Sequence, residues 1–438
     1  MNTFIQLCTN PALISVIFLC VLCIRKINVL LAIIISTVIA GLLSGMNIKH
    51  IMDIFISGMG GNSETALSYI LLGAFAATMS HSGFTDVISQ KIAKVVSGKK
   101  LILLSILGLI AMASQNIIPI HIAFIPIIIP PLLWVMNSIK IDRRAVACVL
   151  AFGLKMPYIA IPVGFGLIFQ NLIADNMIQN GVNVLRSEIW KSTLILGIGM
   201  LVGLLVAVFI TYRKPRIYEN KSVLNSNFNN IQFRFSHWII ILAAISTFVV
   251  QLLTKSLPLG ALVGLGIIFS FKVIPQDKMD HMMNEGIYLM GYVAFVMLVA
   301  AGFASVLKET GAIESIVTLV LNYLPQNIII TSLIILVLGL FITIGIGTSF
   351  GTIPIISVLF IPICVEMGFS PQQIIVLIAA AAALGDAGSP ASDTTLGPTS
   401  GLNADGQHNH IYDTCIPTFL HFNTALIVFA LIGIYFLG

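Results

Sequence analysis

The forty residues from Leu384 to Asn423, LGDAGSPASDTTLGPTSGLNADGQHNHIYDTCIPTFLHFN, constrain this chain more than any other stretch. They carry Asp386, Asp393, Asp405 and Asp413, three histidines (His408, His410, His421), and many Gly, Ser, Thr and Pro. Apolar sequence encloses them: IIVLIAAAAALG runs in, and an apolar helix follows to the C-terminus. Irregular polar backbone at membrane depth cannot face lipid, because each unsatisfied group there costs several kcal/mol. The stretch therefore lies within protein or along a water-filled cavity, and the rest of the chain must build that enclosure.

Composition sets the class. Of 438 residues, 58% are hydrophobic and 9% charged, against about 25% charged in soluble domains. Repeated apolar runs near the roughly 20 residues that span a bilayer make this an all-α polytopic membrane protein. The net charge of +5 reads as topology, not as affinity for nucleic acid. The six cysteines, Cys8, Cys20, Cys23, Cys148 and Cys364 among them, sit in or beside apolar runs and read as buried small hydrophobes. The N-terminus has no basic n-region or clear cleavage site, so the first span reads as retained.

In chain order, Pro11–Ile24 and Ile27–Gly45 are spans joined at Arg25-Lys26. Asn47–Glu64 is weakly amphipathic and Leu67–His81 is a span. A lysine-rich loop (Lys91, Lys94, Lys99, Lys100) precedes apolar Leu101–Ala113, which breaks at Ser114-Gln115-Asn116. The run IIPIHIAFIPIIIPPLLWVM holds four prolines, which remove donors and kink helices, so it is bent or re-entrant. After the basic loop at Lys140, Arg143 and Arg144, the span Ala145–Phe169 is interrupted by Lys155-Met-Pro-Tyr, Pro162, Gly164 and Gly166. Lys191–Tyr212 is a clean span, followed by the one long polar linker, basic and Asn/Ser-rich, near the middle of the chain.

The second half replays the first. LLGAFAATMSHSGFTDVI matches VAAGFASVLKETGAIESI, and SQNIIPI matches SFGTIPI. Phe124–Pro126 answers Phe360–Pro362, and Leu172, Ala174 and Asp175 answer Leu402, Ala404 and Asp405. The shared order and a steady offset of roughly 230 residues, the size of a transporter half, argue against chance similarity. The expected organisation is a first repeat over 1–212, a linker over 213–236 and a second repeat over 237–438. Arg25-Lys26 and the basic linker should both be cytoplasmic by the positive-inside rule. Each half then crosses an odd number of times, which makes the repeats inverted and puts both termini outside.

Inverted-repeat transporters build their sites at the midplane from broken helices at matching positions. Here those are Ser114, Gln115 and Asn116 with Lys155–Gly166 in one half, and Gly345–Gly351 with Gly385–Pro398 in the other. Unwound carbonyls suit sodium, and half-helix N-termini suit a carboxylate. Asp386 and Asp393 read as a site and not as solvated loop ends, because charges inside spans are rare. Lys155 and the neighbouring Pro157 align beside Asp386, so the lysine reads as its partner instead of snorkelling. Gly351, Gly388, Ser389, Ser392, Thr394 and Thr395 supply permissive backbone and hard oxygens. Thr348 and Ser349, with Asp386 and Asp393, are the expected sodium ligands; interhelical hydrogen bonding is their other reading. Asn403, Asp405 and Asp413 continue the motif, either in the site or as a polar rim. Asp405, His408, His410 and Asp413 are dense enough for a metal cluster, though a cavity rim is favoured. His81, His121 and His237 read as interface or packing histidines.

The motif GDAGSPASDTTLGPTSGLNADGQHNHIYDTCIPTFLH resembles, nearly residue for residue, the C-terminal signature of NhaC-like Na+/H+ antiporter-family proteins of the ion transporter superfamily. Within them it is most similar to the branch of amino-acid permeases for which histidine transport has been proposed. The resemblance covers the whole chain and implies two inverted repeats, each with scaffold and mobile portions made of re-entrant hairpins and broken transmembrane helices. It also implies a bacterial cytoplasmic membrane location and a homodimer. Gly385–Thr395 would be the second broken-helix motif and Asn403–Asp413 its continuation.

Two transport chemistries compete. A symporter would hold Na+ or H+ together with a small amino acid or related carboxylate, its carboxylate at Ser/Thr hydroxyls and helix N-termini and its ammonium near Asp386 or Asp393. An antiporter would bind Na+ and H+ in turn on the same carboxylates. The wealth of Ser, Thr and Asn beside Asp favours the organic solute. No cofactor is expected beyond the coupling ion, and no Walker-type stretch points to ATP. An intramembrane aspartyl protease fits poorly, since Asp386 follows Ala-Leu-Gly and the duplication has no use there. A channel leaves two broken helices unexplained.

Overall fold

A computed structural model describes residues 9–25, 27–84, 87, 91–92, 96, 99–116, 125–163, 165–219, 233–254, 256–312, 315 and 325–438. The described residues form helices and connections, with no strand. The first half builds α1 (Pro11–Ile24), α2 (Val29–Leu43), α3 (Ile48–Met59), α4 (Ser63–His81), α5 (Lys100–Asn116), α6 (Ile125–Ser138), α7 (Arg143–Ala160), α8 (Phe165–Gln179) and α9 (Ile189–Val206). The second builds α10 (Phe235–Thr254), α11 (Leu257–Ser270), α12 (Met279–Glu309), α13 (Ile328–Ile346), α14 (Ser349–Glu366), α15 (Pro371–Ala383) and α16 (Asp393–Leu402). The last helix, α17 (His410–Phe436), begins with π-helical turns.

In so apolar a chain the helix starts are set by the few short polar residues. Asn10, Asn28, Asn47, Asp142, Asn327, Ser370, Ser392 and Asn409 each accept a hydrogen bond from a first-turn backbone N–H. Ser370 and Gln373 complete a reciprocal capping box. Among the described residues Arg186–Thr211, Gln276–Glu309, Ile328–Ile346 and His410–Phe436 are long and apolar enough to cross a membrane unbroken. The pair α7–α8 does so with a 46° bend.

End contacts sort the elements onto two faces. On one face, Lys100 Nζ donates to the Tyr212 carbonyl (3.1 Å), Arg216 N to the Lys140 carbonyl (3.1 Å), and Arg143 reaches Asp405. This is the face of the basic linker. On the other, Ser370 Oγ donates to the Leu437 carbonyl and Asn10 Nδ2 to the Ala312 carbonyl. Helix α7 starts on the linker face and α15 on the opposite face, so the two broken pairs, α7–α8 and α15–α16, run in opposite directions. The hairpins are opposed likewise: α5–α6 enters from the linker face and α13–α14 from the other. This is the all-α, inverted architecture of re-entrant hairpins and broken helices that the sequence implies.

The breaks fall more narrowly than the residue pattern suggests. Helix α7 continues through Lys155 and Pro157 to Ala160, and the chain leaves helical geometry at Ile161–Val163. Proline costs one donor, but the Ile161 N–H closes the turn on the Pro157 carbonyl at 2.8 Å. In the second half the hairpin tip is Gly347-Thr348, and α14 is already helical at Ser349. Helix α5 runs on to Asn116, past the expected break at Ser114. The side chains of Gln115 and Asn116, and His121 in the 117–124 segment, lie outside the described residues.

Candidate substrate and ion site

The unwound segment between α15 and α16 is held open from three sides. Gly385 and Gly388 take left-handed backbone angles (φ 81° and 98°), which only glycine adopts at little cost. Asn423, on α17, accepts from the Gly385 N–H (3.3 Å) and donates to the Ala387 carbonyl (2.9 Å), replacing lost helix bonds with a side-chain amide. A Cβ at Gly385 would stand 2.5 Å from the Leu340 carbonyl oxygen of α13, so the segment lies directly on that backbone.

This bend turns Asp386 into the interior, where it is 3% exposed. Its Oδ2 accepts from Lys155 Nζ (2.7 Å), Ser349 Oγ (2.7 Å) and Tyr158 OH (3.0 Å). Its Oδ1 accepts from Ser392 Oγ. Ser392 also caps α16 through the Thr394 N–H, and Thr394 Oγ1 reaches the Asp386 carbonyl at 3.3 Å. Buried ions persist only when paired and hydrogen-bonded, and Asp386 and Lys155 are both. Asp393, in the first turn of α16, accepts from Tyr69 OH of α4 at 3.0 Å. Lys155 and Asp386 form a buried ion pair, and Asp393 adds a second carboxylate close by.

A cavity of about 330 Å³ opens beside these groups. Asp386, Asp393, Thr394, Tyr69, Tyr158 and Thr348 line its inner end; Asn62, Glu64 and Gln251 line the end toward the face opposite the linker. Phe350 and Gly351 also line it, in the first turn of α14, and Thr348 makes no side-chain bond to that helix start. The first N–H groups of α14 therefore point their partial positive charge toward the cavity. A second cavity of about 850 Å³ lies on the linker side, lined among others by Leu396, Thr399, Ser400, Asn403, His410 and Glu285. Helix α16 stands between the two: its first residues face one cavity and its later residues the other.

The other sequence candidates are spread around this centre. Ser349, Ser392 and Thr394 join Asp386; Gly351 and Thr348 line the first cavity. Ser114 is buried and bonds the Ala111 carbonyl of its own helix. Thr395 bonds the Ser389 and Ser392 carbonyls and stiffens the turn. Gly388 and Ser389 face the far side of the unwound segment, in an apolar groove against α1, α13 and α17. Asp405 and Asp413 lie on the linker face, where Asp405 pairs with buried Arg143 and Asp413 with Arg216 at 2.7 Å. Asn403 lines the linker-side cavity and accepts from the His408 N–H. His410 bridges Thr399 and the Pro390 carbonyl, so it acts as a tie between the break and the helices, not as part of a four-residue metal cluster. His237 packs on Phe84 and Phe233.

Tyr69, Tyr158, Asn423 and Arg143 escaped the residue reading. Tyr158 had a signal, standing three residues after Lys155 on one helix face. Asn423 also had one, as an amide beside an apolar helix. Tyr69 had none, because its role depends on α4 crossing α16.

Comparison with known proteins gives the family. The Na+/H+ antiporter family model matches residues 149–434, and a second Na+-H+ antiporter family model matches residues 10–96. An uncharacterized membrane protein of Vibrio parahaemolyticus is 44% identical, covering 97% of this chain and 99% of its own. Bacillus subtilis YuiF, whose name proposes an amino acid transporter, is 43% identical over 97% of this chain and 99% of its own. The YdaH transporter of Alcanivorax borkumensis superimposes with a TM-score of 0.46 at 12% identity, over 89% of this chain and 88% of that one. On the family model, which spans more than half of the chain, and on the two relatives above 40% identity, the chain is a membrane transporter, not an enzyme, and it belongs to the Na+/H+ antiporter family.

Proposed function

We propose that the protein couples a Na+ or H+ gradient to uptake of a small amino acid or related carboxylate by alternating access. One observation carries this reading: a cavity with the carboxylates of Asp386 and Asp393 at one wall and a helix N-terminus without a side-chain cap at another. That pairing is the complement of a zwitterion. The ammonium sits at Asp393, and the carboxylate sits at the first turn of α14 beside Thr348 and Gly351. The cavity volume falls at the lower end of the range for small-molecule pockets, about 300–1,000 Å³. The name of the Bacillus subtilis relative points the same way.

In this reading the coupling cation competes for the ligands that now hold Asp386. Sodium would take Asp386, Asp393, Thr348 and Ser349 as hard oxygen ligands. The two halves, 1–212 and 237–438 around the linker 213–236, would rock against each other, moving the centre from one cavity to the other. The basic linker faces the cytoplasm, both termini lie outside, the membrane is the bacterial cytoplasmic membrane, and the unit is a homodimer.

The second reading is Na+/H+ exchange without an organic substrate; its support is the density of hard oxygens around Asp386 and the family itself. Reconstituted liposomes separate the two. Labelled amino acids, histidine included, are offered under imposed Na+ or H+ gradients, with Asp386→Asn in parallel. Accumulation that depends on one gradient and vanishes in the variant supports uptake. Proton release from the lumen on adding Na+, with no amino-acid uptake, overturns it in favour of exchange.

A further inference from the structure

We infer that His81, His281 and Glu285 form a binding site for a divalent transition metal of the zinc class, at the mouth of the linker-side cavity. His281 and Glu285 stand four residues apart on one face of α12, so their side chains project together. His81 comes from the end of α4, which packs against α12. The potential ligand atoms of the three all lie within 4.8 Å of one another. His81 Nε2 is 3.3 Å from Glu285 Oε2, and His281 Nε2 is 4.0 Å from the same oxygen.

Tetrahedral zinc with bonds of about 2.0–2.2 Å places its ligands about 3.4 Å apart. One pair already has that separation, and the others need to close by an ångström or so. The side chains have the freedom to do it, at 37%, 65% and 34% exposure. Two imidazoles and one carboxylate with an open fourth position is an established zinc donor set, and imidazole favours zinc, copper and nickel over magnesium or calcium. A second observation points to a cation: Glu285 Oε2 is shielded from solvent and no donor meets it with hydrogen-bond geometry, the nearest ring nitrogen, His81 Nε2, standing 3.3 Å away. A carboxylate oxygen without a donor is costly unless a positive charge meets it.

Glu285 also lines the linker-side cavity together with Tyr288, Tyr292 and Asn403. A bound ion would tie the end of α4 to the start of α12 at the rim of that cavity. This assignment does not depend on which solute is carried.

The test uses purified full-length protein in detergent, with any affinity tag removed, titrated with Co2+ and then Zn2+. The expected result is one Co2+ per chain with a visible ligand-field band, displaced by Zn2+. Affinity falls at least about tenfold in His81→Ala and in His281→Ala, and is unchanged in His50→Ala, an exposed histidine elsewhere. Zn2+ should also raise the melting midpoint of the wild type and not of His281→Ala. His281 is the most exposed of the three, so its loss is the variant least able to disturb folding. The assignment is overturned if no band forms, or if binding survives in both histidine variants.

Discussion

Lys155 and Asp386 lie 231 residues apart in sequence, yet Nζ and Oδ2 meet at 2.7 Å where the two broken helices cross. Each is nearly inaccessible, at 1% and 3% exposure. The bond thus ties the two broken helix pairs together at the centre of the candidate site.

Removing one partner should therefore do more damage than removing both. Lys155→Met strands a buried carboxylate and should cost about 3–5 kcal/mol. The double variant Lys155→Met with Asp386→Leu should recover much of that loss. Thermal unfolding in detergent measures it; a double variant less stable than Lys155→Met would show that the stranded carboxylate is not what destabilises the single variant.

Gly385→Ala should be strongly destabilising for two separable reasons. A left-handed alanine costs about 1–2 kcal/mol. Its Cβ would also stand 2.5 Å from the Leu340 carbonyl oxygen and 2.8 Å from the Ile344 nitrogen, both backbone atoms that cannot rotate away. Gly45→Ala has the same strain (φ 78°) and nothing within 4 Å, so it should cost only the first part. Comparing the two melting midpoints isolates the contact between the unwound segment and α13.

Asn423→Leu removes both amide bonds that hold the Gly385 N–H and the Ala387 carbonyl. Leaving buried backbone groups unpaired costs about 1–3 kcal/mol each. We expect a lower melting midpoint together with weaker solute binding, because the turn positions Asp386. Unchanged binding in a destabilised Asn423→Leu protein would show that the turn keeps its shape without the amide.

The linker-face pair should give a pH-dependent stability. Burial raises the Asp405 carboxyl, but the Arg143 guanidinium more than offsets it and holds the group below the ordinary aspartate value. A depressed folded value stabilises the protein above the unfolded value of about 3.9, and this is lost as pH falls through the folded value. Asp405→Asn lacks it at every pH and leaves Arg143 buried without a counter-charge. The gap in melting midpoint between wild type and Asp405→Asn should thus be full near neutral pH and shrink below about pH 4. A gap independent of pH would refute the pairing as its source.

Several residues that the structure gathers at the candidate site were legible from the chain. Asp386 and Asp393 stood out because charge at membrane depth is expensive, and Lys155 because the repeat places it opposite Asp386. The linker-face residues were harder. Asp405 and Asp413 look like Asp386 and Asp393 in sequence, and only their packing against Arg143 and Arg216 separates a rim from a centre.

The sequence by itself determined a polytopic helical chain, a duplication and the stretch that must be shielded from lipid. Those follow from hydrophobic length, the offset between similar segments, and the cost of unsatisfied backbone groups, all local or periodic properties. Only the tertiary structure decided which oxygens surround Asp386, that Tyr69 of α4 reaches Asp393, and that α16 stands between two cavities. These depend on contacts between residues far apart in the chain, where a shift of one helical turn would exchange every partner.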